Sequence, residues 1–308
     1  MFPGQGSQAI GMGQELAAAF PVARHLFQEV DDALDQHLFR LMAEGPESDL
    51  TLTRNTQPAL MAVSVAATRV LEHLTGKPVH HLARAVLGHS LGEWSALVAV
   101  GALSVSDGAR LLRRRGEAMQ AAVPVGEGAM AAILGLEMPA VAALCEAAAQ
   151  GDVVDPANDN GGGQVVISGT AAAVARAIAL APQHGAKRAI ALNVSAPFHC
   201  RLMQPAADAM AEALATTEIR VPSVPLVANV TAVATSDPDA IRRQLVEQVT
   251  GVVRWRDCVA ALPALGVDAL AEVGSGKVLA GLARRIVKDL EAVGVATPAE
   301  AEALAARL

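Results

Sequence analysis

Gly88-His89-Ser90-Leu91-Gly92 lies between a short apolar run, Ala85-Val86-Leu87, and an Ala/Leu/Val-rich segment that extends from Glu93 to Leu103. The run predicts a strand and the segment predicts a buried helix, and G-x-S-x-G at a strand–turn–helix junction is typical of a nucleophile elbow. The flanking glycines leave room where a Cβ would clash, and the helix start directs free N–H groups toward an oxyanion. Ser90 is therefore the candidate acyl-carrying nucleophile; the alternative is a simple Gly/Ser-rich turn.

The bulk composition indicates a large apolar core. Of 308 residues, 52% are hydrophobic and 18% are charged, and the aromatic residues are only two Trp and five Phe. A core of Ala, Leu and Val favours helices packed closely on a sheet. The net charge of −7 and the scarcity of aromatic rings for base stacking argue against nucleic-acid binding.

The cysteine pattern and the absence of targeting signals predict a cytoplasmic protein. Cys145, Cys200 and Cys258 are odd in number and scattered, which indicates a reducing compartment without a disulfide framework or a zinc cluster. We find no secretory signal and no apolar run long enough to cross a bilayer. The glycine loop Phe2–Gln8 would normally follow a strand, so the start of the chain is expected to be trimmed or very short.

The order of predicted elements indicates an α/β fold with two parts. Residues 1–124 and 196–308 are expected to form a larger, α/β-hydrolase-like catalytic subdomain with a mostly parallel sheet. Residues 125–195 have the pattern β-α-β-β-α-β, which is the ferredoxin-like unit, and are expected to form a small inserted subdomain. Its strands are predicted at 129–136, 153–154, 164–168 and 187–194, and its helices at 138–150 and 170–184.

The larger part carries further predicted elements. The chain is expected to pass from residue 79 to residue 87 through a strand into the turn at Ser90. A helix is predicted at 255–265, a strand at 269–273, a helix that reaches about Leu290, and a short helix in the tail 297–308.

A serine nucleophile needs a base, and histidine is the usual one. Of the eight histidines, six lie in amphipathic helices, in loops or at helix ends and are interpreted as surface or packing residues. His89 is expected to brace the turn with its side chain directed away from Ser90. His199 follows a strand, beside a proline and before a cysteine, where its ring could project into a cleft. His199 is therefore the candidate base.

Six motifs follow one another along nearly the whole chain. They are Phe2-Pro3-Gly4-Gln5-Gly6-Ser7-Gln8, Thr56-Gln57-Pro58-Ala59-Leu60, Gly88-His89-Ser90-Leu91-Gly92-Glu93, Arg115-Gly116, Ala196-Pro197-Phe198-His199 and Glu272-Val273-Gly274-Ser275-Gly276-Lys277-Val278-Leu279. In this order and with this spacing they resemble the bacterial malonyl-CoA:acyl-carrier-protein transacylases, the malonyl-loading enzymes of type II fatty acid synthesis. An inserted ferredoxin-like unit is also a feature of that family.

The resemblance implies roles for individual residues. Ser90 matches the acylated nucleophile and His199 matches its general base. The family steers this histidine with a backbone carbonyl of a glutamine, here Gln248, rather than with an Asp. The oxyanion hole would come from the backbone N–H groups of Gln5 and Leu91. The position of His199, with more than a third of the chain after it, also differs from the late histidine of ordinary α/β-hydrolases.

The resemblance also implies how the acyl group is chosen. Arg115 matches the residue that binds the free malonyl carboxylate, because a guanidinium grips a carboxylate through two parallel hydrogen bonds. The alternative, a solvated helix face, is expected to hold for Arg113 and Arg114. Gln57 is expected to contribute to substrate binding. Phe198 is expected to crowd an α-methyl branch, so that methylmalonyl is a poor substrate.

The implied reaction is a ping-pong transfer from malonyl-CoA to the phosphopantetheine thiol of acyl carrier protein, without a metal or cofactor, by a monomer. Carrier proteins of this system are acidic, so docking needs a local basic patch. The candidates are Lys187, Arg188, Arg284 and Arg285; the alternative for the late helix is cations that simply decorate its C-terminus.

Three other functions fit parts of the pattern. A transacylase of the same fold could serve malonate decarboxylation or a polyketide system, with the same chemistry and another carrier. A serine esterase or thioesterase is disfavoured by Arg115 and by the position of His199. A silent scaffold that only binds carrier protein is disfavoured because Ser90, His199 and Arg115 are all present.

Overall fold

The computed structural model describes residues 1–308. Eight helices precede the insert: α1 (Gln14–Ala19), α2 (Pro21–Leu34), α3 (Leu38–Glu44), α4 (Glu47–Leu50), α5 (Thr53–Thr75), α6 (Val79–Leu82), α7 (Leu91–Ala99) and α8 (Val105–Ala121). The insert contains β1 (Gly128–Leu134), α9 (Met138–Ala149), β2 (Val154–Asp159), β3 (Gln164–Thr170), α10 (Ala171–Leu180) and β4 (Arg188–Ala191). The remaining elements are α11 (Gln204–Ala215), β5 (Leu226–Val227), β6 (Ala234–Thr235), α12 (Pro238–Thr250), α13 (Trp255–Ala260), β7 (Ala269–Val273), α14 (Val278–Ile286), β8 (Glu291–Val295) and α15 (Pro298–Ala305), with 3₁₀ turns at Arg201–Met203 and Leu262–Leu265.

A parallel sheet of short segments leads to the turn at Ser90. β8 pairs with β7 in parallel, and Met1 continues the sheet by donating to Ala271 O at 2.7 Å and accepting from Val273 N at 2.9 Å. Phe2 forms a parallel bridge with Gly88, and Val86 forms one with Leu226 in β5. The order is therefore β8, β7, Met1-Phe2, residues 86–88 and β5. The carboxyl ends of these segments meet at the Ser90 turn, where a ligand binds in an open parallel sheet.

Helices cover this sheet with small and aliphatic side chains. α5 is the longest, and 17 of its 23 residues are buried. Every residue of α7 is buried, so the helix that follows Ser90 lies inside the core. α8 begins at an N-cap, where Asp107 N donates to Ser104 Oγ at 3.0 Å. The main hydrophobic cluster contains 59 buried residues. This core holds the turn and α8 rigidly against each other. A second hydrophobic cluster of 15 buried residues joins α13 and α14 to the sheet and includes Leu87, Trp255 and Leu279.

The insert forms a separate antiparallel sheet in the order β2-β3-β1-β4. β1 lies between β3 and β4 and pairs antiparallel with both. α9 and α10 pack on this sheet through a hydrophobic cluster of 14 residues, which is distinct from the main core. The element order within residues 128–191 is β-α-β-β-α-β.

The mixed α/β class is confirmed, but several local predictions are wrong. The strand predicted at 153–154 extends from Val154 to Asp159, and the helix predicted at 170–184 ends at Leu180. Residues 79–82 form α6 before the chain becomes extended toward Ser90. The helix predicted at 255–265 ends at Ala260 and continues as a 3₁₀ turn that contains Pro263; a proline inside a helix removes a backbone donor. The helix predicted to reach Leu290 ends at Ile286, and the unpredicted β8 follows it.

A cavity of about 310 Å³ lies in the sheet between the segments 83–86 and 267–271, next to the amino terminus of Met1. Burial of this ammonium lowers its pKa to about 5. None of the helices is both long and apolar enough to pass through a lipid bilayer.

Candidate active site

The turn at Ser90 holds a strained backbone. Ser90 has φ 53° and ψ −110°, a region that non-glycine residues rarely adopt. The side chain of Asn229 holds the turn at two points: its Oδ1 accepts from Ser90 N at 2.8 Å, and its Nδ2 donates to Gly88 O at 2.8 Å. The strain is therefore maintained by one buried amide that lies 139 residues away in the sequence.

The glycines of the turn are required by close backbone approaches. A Cβ on Gly88 would lie 2.0 Å from the Gly92 carbonyl, and a Cβ on Gly92 would lie 2.2 Å from Phe2 O. A Cβ on Gly4 would lie 2.8 Å from His89 O, so the amino-terminal loop rests directly on the turn. These contacts explain the G-x-S-x-G spacing and place the loop that carries Gln5 against the turn.

Ser90, His199 and Gln248 form a continuous hydrogen-bonded chain. Ser90 Oγ lies 2.7 Å from His199 Nε2, and His199 Nδ1 lies 2.9 Å from the backbone carbonyl of Gln248. A carbonyl can only accept, so Nδ1 carries the proton and Nε2 presents its lone pair to the serine. Burial, and secondarily the Arg115 cation, lowers the pKa of His199 to about 3, which keeps the ring neutral at physiological pH.

Arg115 is buried within reach of the serine. Its guanidinium donates to Ser90 Oγ at 3.1 Å, to Gln57 Oε1 at 2.9 Å and to Gln248 Oε1 at 3.0 Å. Only 2% of Arg115 is exposed, and burial lowers its pKa to about 10. A buried cation that faces only neutral acceptors suits an incoming carboxylate.

The two neighbouring arginines do not point toward the serine: Arg114 is exposed and Arg113 is half-buried. Arg114 forms an exposed ion pair with Glu212. Arg113 donates to backbone and side-chain oxygens, among them the carbonyl of Arg54 at 2.7 Å. The predicted solvated position is therefore observed for Arg114, whereas the Arg113 guanidinium is held by Arg54, Gln36 and Asn55.

A buried polar network behind the turn was not predicted from the sequence. Glu93 Oε2 accepts from Asn229 N at 2.9 Å and from Gln248 Nε2 at 2.8 Å. Gln248 Nε2 also donates to Ser90 O at 3.1 Å. Burial raises the pKa of Glu93 to about 7. The one available signal in the sequence was a lone carboxylate in the otherwise apolar start of α7.

The predicted oxyanion donors come from two segments: Leu91 follows Ser90 in the turn, and Gln5 belongs to the amino-terminal loop. The backbone N–H groups of Gln5 and Leu91 donate to no acceptor within the protein. Leu91 is the first residue of α7, so its N–H points out of the helix start toward the serine side. The side chain of Gln5 is anchored by a weak contact of 3.4 Å to Thr53 Oγ1.

The residues around His199 and His89 connect the site to the rest of the molecule. Phe198 is buried and belongs to the main hydrophobic cluster. His199 has φ 59°, a second strained non-glycine residue in the site. His89 lies 3.0 Å from Asn160 Oδ1 through Nε2, and its ring centroid is 5.6 Å from that of Trp255. His89 thus links the turn to the insert.

The predicted docking residues are exposed and lie around one glycine-rich loop. Lys187 and Arg188 lie at the start of β4, and Arg284 and Arg285 lie at the end of α14. A Cβ on Gly135 would lie 2.7 Å from the Lys187 side chain, and a Cβ on Gly162 would lie 3.7 Å from that of Arg285. Arg284 also donates to the Ala292 carbonyl. Loop 161–163 therefore separates the two basic pairs.

The chain matches the family model described as "Acyl transferase domain" over residues 1–306. It is 48% identical over 298 residues to the malonyl CoA-acyl carrier protein transacylase of Escherichia coli K12, covering 97% of this chain and 95% of that protein. It is 46% identical over 299 residues to the protein of the same name from Bacillus subtilis, covering 97% and 93%.

The chain is also similar in fold to solved malonyltransferase structures. The chain is similar to the acyl-carrier-protein-S-malonyltransferase of Bartonella henselae, with a TM-score of 0.96, 57% identity and coverage of 98% and 96%. It is also similar to a malonyl-transacylase solved with its type II PKS acyl-carrier protein, with a TM-score of 0.96, 44% identity and coverage of 100% and 98%.

Proposed function

Since the chain belongs to the acyl transferase domain family, we propose that it transfers a malonyl group from coenzyme A to the phosphopantetheine thiol of acyl carrier protein in fatty acid biosynthesis. Relatives with 46–48% identity bear the name of that activity. A similar structure is named as a malonyl-transacylase in complex with its carrier protein.

The observation that carries the proposal is the buried guanidinium beside the nucleophile. Arg115 Nη2 lies 3.1 Å from Ser90 Oγ, and the guanidinium also donates to the side-chain oxygens of Gln57 and Gln248. No carboxylate accepts a hydrogen bond from it. A neutral acyl group would leave this cation without a charged hydrogen-bond partner, whereas a malonyl carboxylate would replace neutral acceptors with a charged one.

The first half-reaction loads the serine. Ser90 gives its proton to His199 Nε2 as Oγ bonds to the thioester carbonyl carbon, and the Gln248 carbonyl stabilises the imidazolium through Nδ1–H. The oxyanion is stabilised by the N–H groups of Gln5 and Leu91. When the C–S bond breaks, the imidazolium returns the proton to the thiolate of coenzyme A.

The second half-reaction is the reverse with another thiol. The pantetheine thiol of the carrier gives its proton to His199 Nε2, and its sulfur bonds to the carbonyl carbon. The bond to Ser90 Oγ breaks, and Oγ recovers the proton. Burial is the main cause of the low pKa of His199, and the Arg115 cation is the second. A malonyl carboxylate bound to Arg115 offsets the second cause, so the substrate itself makes the base stronger.

The carrier is proposed to dock on Lys187, Arg188, Arg284 and Arg285. All four side chains are exposed, and the loop between the two pairs continues from Asn160, which contacts His89 beside the nucleophile. An acidic carrier that spans this loop would have its prosthetic arm near Ser90. A type II PKS carrier is the alternative partner, because a similar transacylase was solved with one.

The proposed enzyme has two parts, and a single chain carries its whole active site. The larger catalytic subdomain comprises residues 1–124 and 196–308, and residues 125–195 form the insert. Phe198 is proposed to limit α-branched acyl groups. One chain supplies the nucleophile, the base and the carboxylate-binding cation, so we propose a monomer that needs no cofactor. The three cysteines are buried free thiols, which supports a cytoplasmic location.

Intact-mass measurement tests the reaction. After mixing with malonyl-CoA, the wild-type protein is expected to gain one malonyl group, and Ser90→Ala is expected to gain none. Ser95→Ala, a change at another buried serine in α7, is the control and should load normally. A malonylated Ser90→Ala protein would contradict the assignment, and steady release of free malonate by the wild type would indicate a thioesterase.

A further inference from the structure

Glu93 is a buried carboxylate that takes no part in the proposed proton transfers. It lies in the first turn of α7, three residues after Ser90, and is fully buried. Its Oε2 accepts from Asn229 N at 2.9 Å and from Gln248 Nε2 at 2.8 Å, while its Oε1 has no hydrogen-bond partner. Burying a carboxylate with one oxygen unpaired costs free energy, so the position calls for an explanation.

One amide connects Glu93 to the substrate-binding cation. The side-chain oxygen of Gln248 accepts from Arg115 Nη2 at 3.0 Å, and the nitrogen of the same amide donates to Glu93 Oε2 at 2.8 Å. Arg115 Nε also has no partner. The cation and the anion are thus separated by a single neutral group, and both are buried, so their charges act strongly on each other.

We propose that Glu93 is a positioning residue that acts as the internal counter-charge of Arg115 and so limits how tightly the site holds a dicarboxylate acyl group. The inference rests on the proposed malonyl transfer. The malonyl carboxylate is the same in the coenzyme A thioester, the serine ester and the carrier thioester, so gripping it harder binds all three more tightly without accelerating the reaction. An anion behind the guanidinium weakens this uniform grip and allows the product to leave.

Glu93 is the group near this cation that changes its charge around neutral pH. Burial raises its pKa to about 7. The other titratable groups that face it are Arg115 from α8 and Cys258 from α13, and His199 lies beyond Gln248. Burial lowers the pKa of Arg115 to about 10, raises that of Cys258 and lowers that of His199 to about 3. None of these three titrates near neutrality.

The test removes the charge and keeps the shape. In Glu93→Gln, the side-chain oxygen can still accept from Asn229 N and Gln248 Nε2. We expect the KM for malonyl-CoA and the inhibition constant of free malonate to fall roughly tenfold at pH about 8, while inhibition by free coenzyme A, which lacks the carboxylate, stays unchanged.

The matched control is Glu272→Gln. Glu272 is also fully buried with one unpaired oxygen, and its other oxygen accepts from Ala280 N at 2.7 Å, in the second hydrophobic region of the molecule. Glu272→Gln should leave both the KM for malonyl-CoA and the inhibition constant of malonate unchanged. A merely structural role for Glu93 would instead lower kcat and leave the affinity for malonate where it was, and that result would overturn the proposal.

Wild-type protein provides a second measurement in case Glu93→Gln fails to fold. As the pH falls from about 8 to about 6, Glu93 takes up a proton and loses its charge. The inhibition constant of malonate should therefore fall over this range, while that of coenzyme A stays constant. If the ratio of the inhibition constants of malonate and coenzyme A does not change with pH, the inference is overturned. Failure of the wild type to form malonyl-serine would overturn the proposed function instead.

Discussion

Arg115 holds its charge where three neutral oxygens are its hydrogen-bond partners. The fixed fork of the guanidinium is what lets one side chain contact Gln57, Gln248 and the nucleophile together. Lysine carries the same charge as a single point and cannot maintain this geometry. The specificity of the site therefore depends on the shape of the cation as much as on its sign.

Arg115→Lys is expected to lower kcat/KM for malonyl-CoA roughly a hundredfold, because the bidentate contact to the carboxylate is lost. Inhibition by free coenzyme A, measured in the same assay, should change little. Arg114→Lys is the matched control, since Arg114 is the adjacent residue and forms only an exposed ion pair with Glu212. Equal losses in the two variants would contradict the assigned role.

At the level of elements, the insert is the part that the sequence predicted well. Its helices and strands alternate clearly, and each strand of β1–β4 finds its partners within 70 residues. The parallel sheet was less predictable, because Met1-Phe2, residues 86–88 and β5 are too short to show a period. β8 was also missed, because its pairing with β7, and not its own sequence pattern, makes it a strand.

The same contrast holds within the active site. Ser90 and its glycines have a local signature, and the resemblance supplied His199, Arg115 and the carbonyl of Gln248. Asn229 and Glu93 have no such signature, since an amide or a carboxylate between apolar neighbours has the same appearance wherever it occurs. The hydrogen bonds of Asn229 to the turn and to Glu93 become visible only when residues more than 130 positions apart are brought together.

β4 and α14 supply the two halves of the proposed docking surface. Charge reversal in Lys187→Glu/Arg285→Glu is expected to raise the KM for carrier protein roughly tenfold and to leave the KM for malonyl-CoA unchanged. Arg285 is preferred to Arg284 because Arg284 also holds the Ala292 carbonyl. Arg40→Glu, at an exposed arginine paired only with Glu44, is the control. Similar changes in both KM values would refute the surface.

On the scale of the whole molecule, the parallel sheet has a cavity beside Met1. Met1 and Phe2 bridge β7 and residues 86–88, and the space beside them, about 310 Å³, is lined mostly by apolar residues, with Arg84, Asp268 and Arg307 among the charged ones. The ammonium of Met1 is buried there, and burial lowers its pKa to about 5. Both features cost stability.

Four added valine or isoleucine residues before Met1 are expected to raise the Tm by roughly 2–8 °C. The added segment would replace the buried ammonium with an amide, fill the cavity and pair with both neighbouring segments. A Gly/Ser extension of equal length is the control and should stabilise far less. Thermal unfolding followed by circular dichroism measures the effect, and equal Tm values for the two extensions would contradict it.

The left-handed backbone at Ser90 lowers thermal stability at the residue that activity requires. Glycine adopts φ 53° freely, so relief of this strain, of the order of 1 kcal/mol, is available at the one position where it removes the reactive hydroxyl. Laboratory evolution that selects only for thermal stability would therefore favour Ser90→Gly, which is inactive. Such a selection must also screen for acyl transfer in every round.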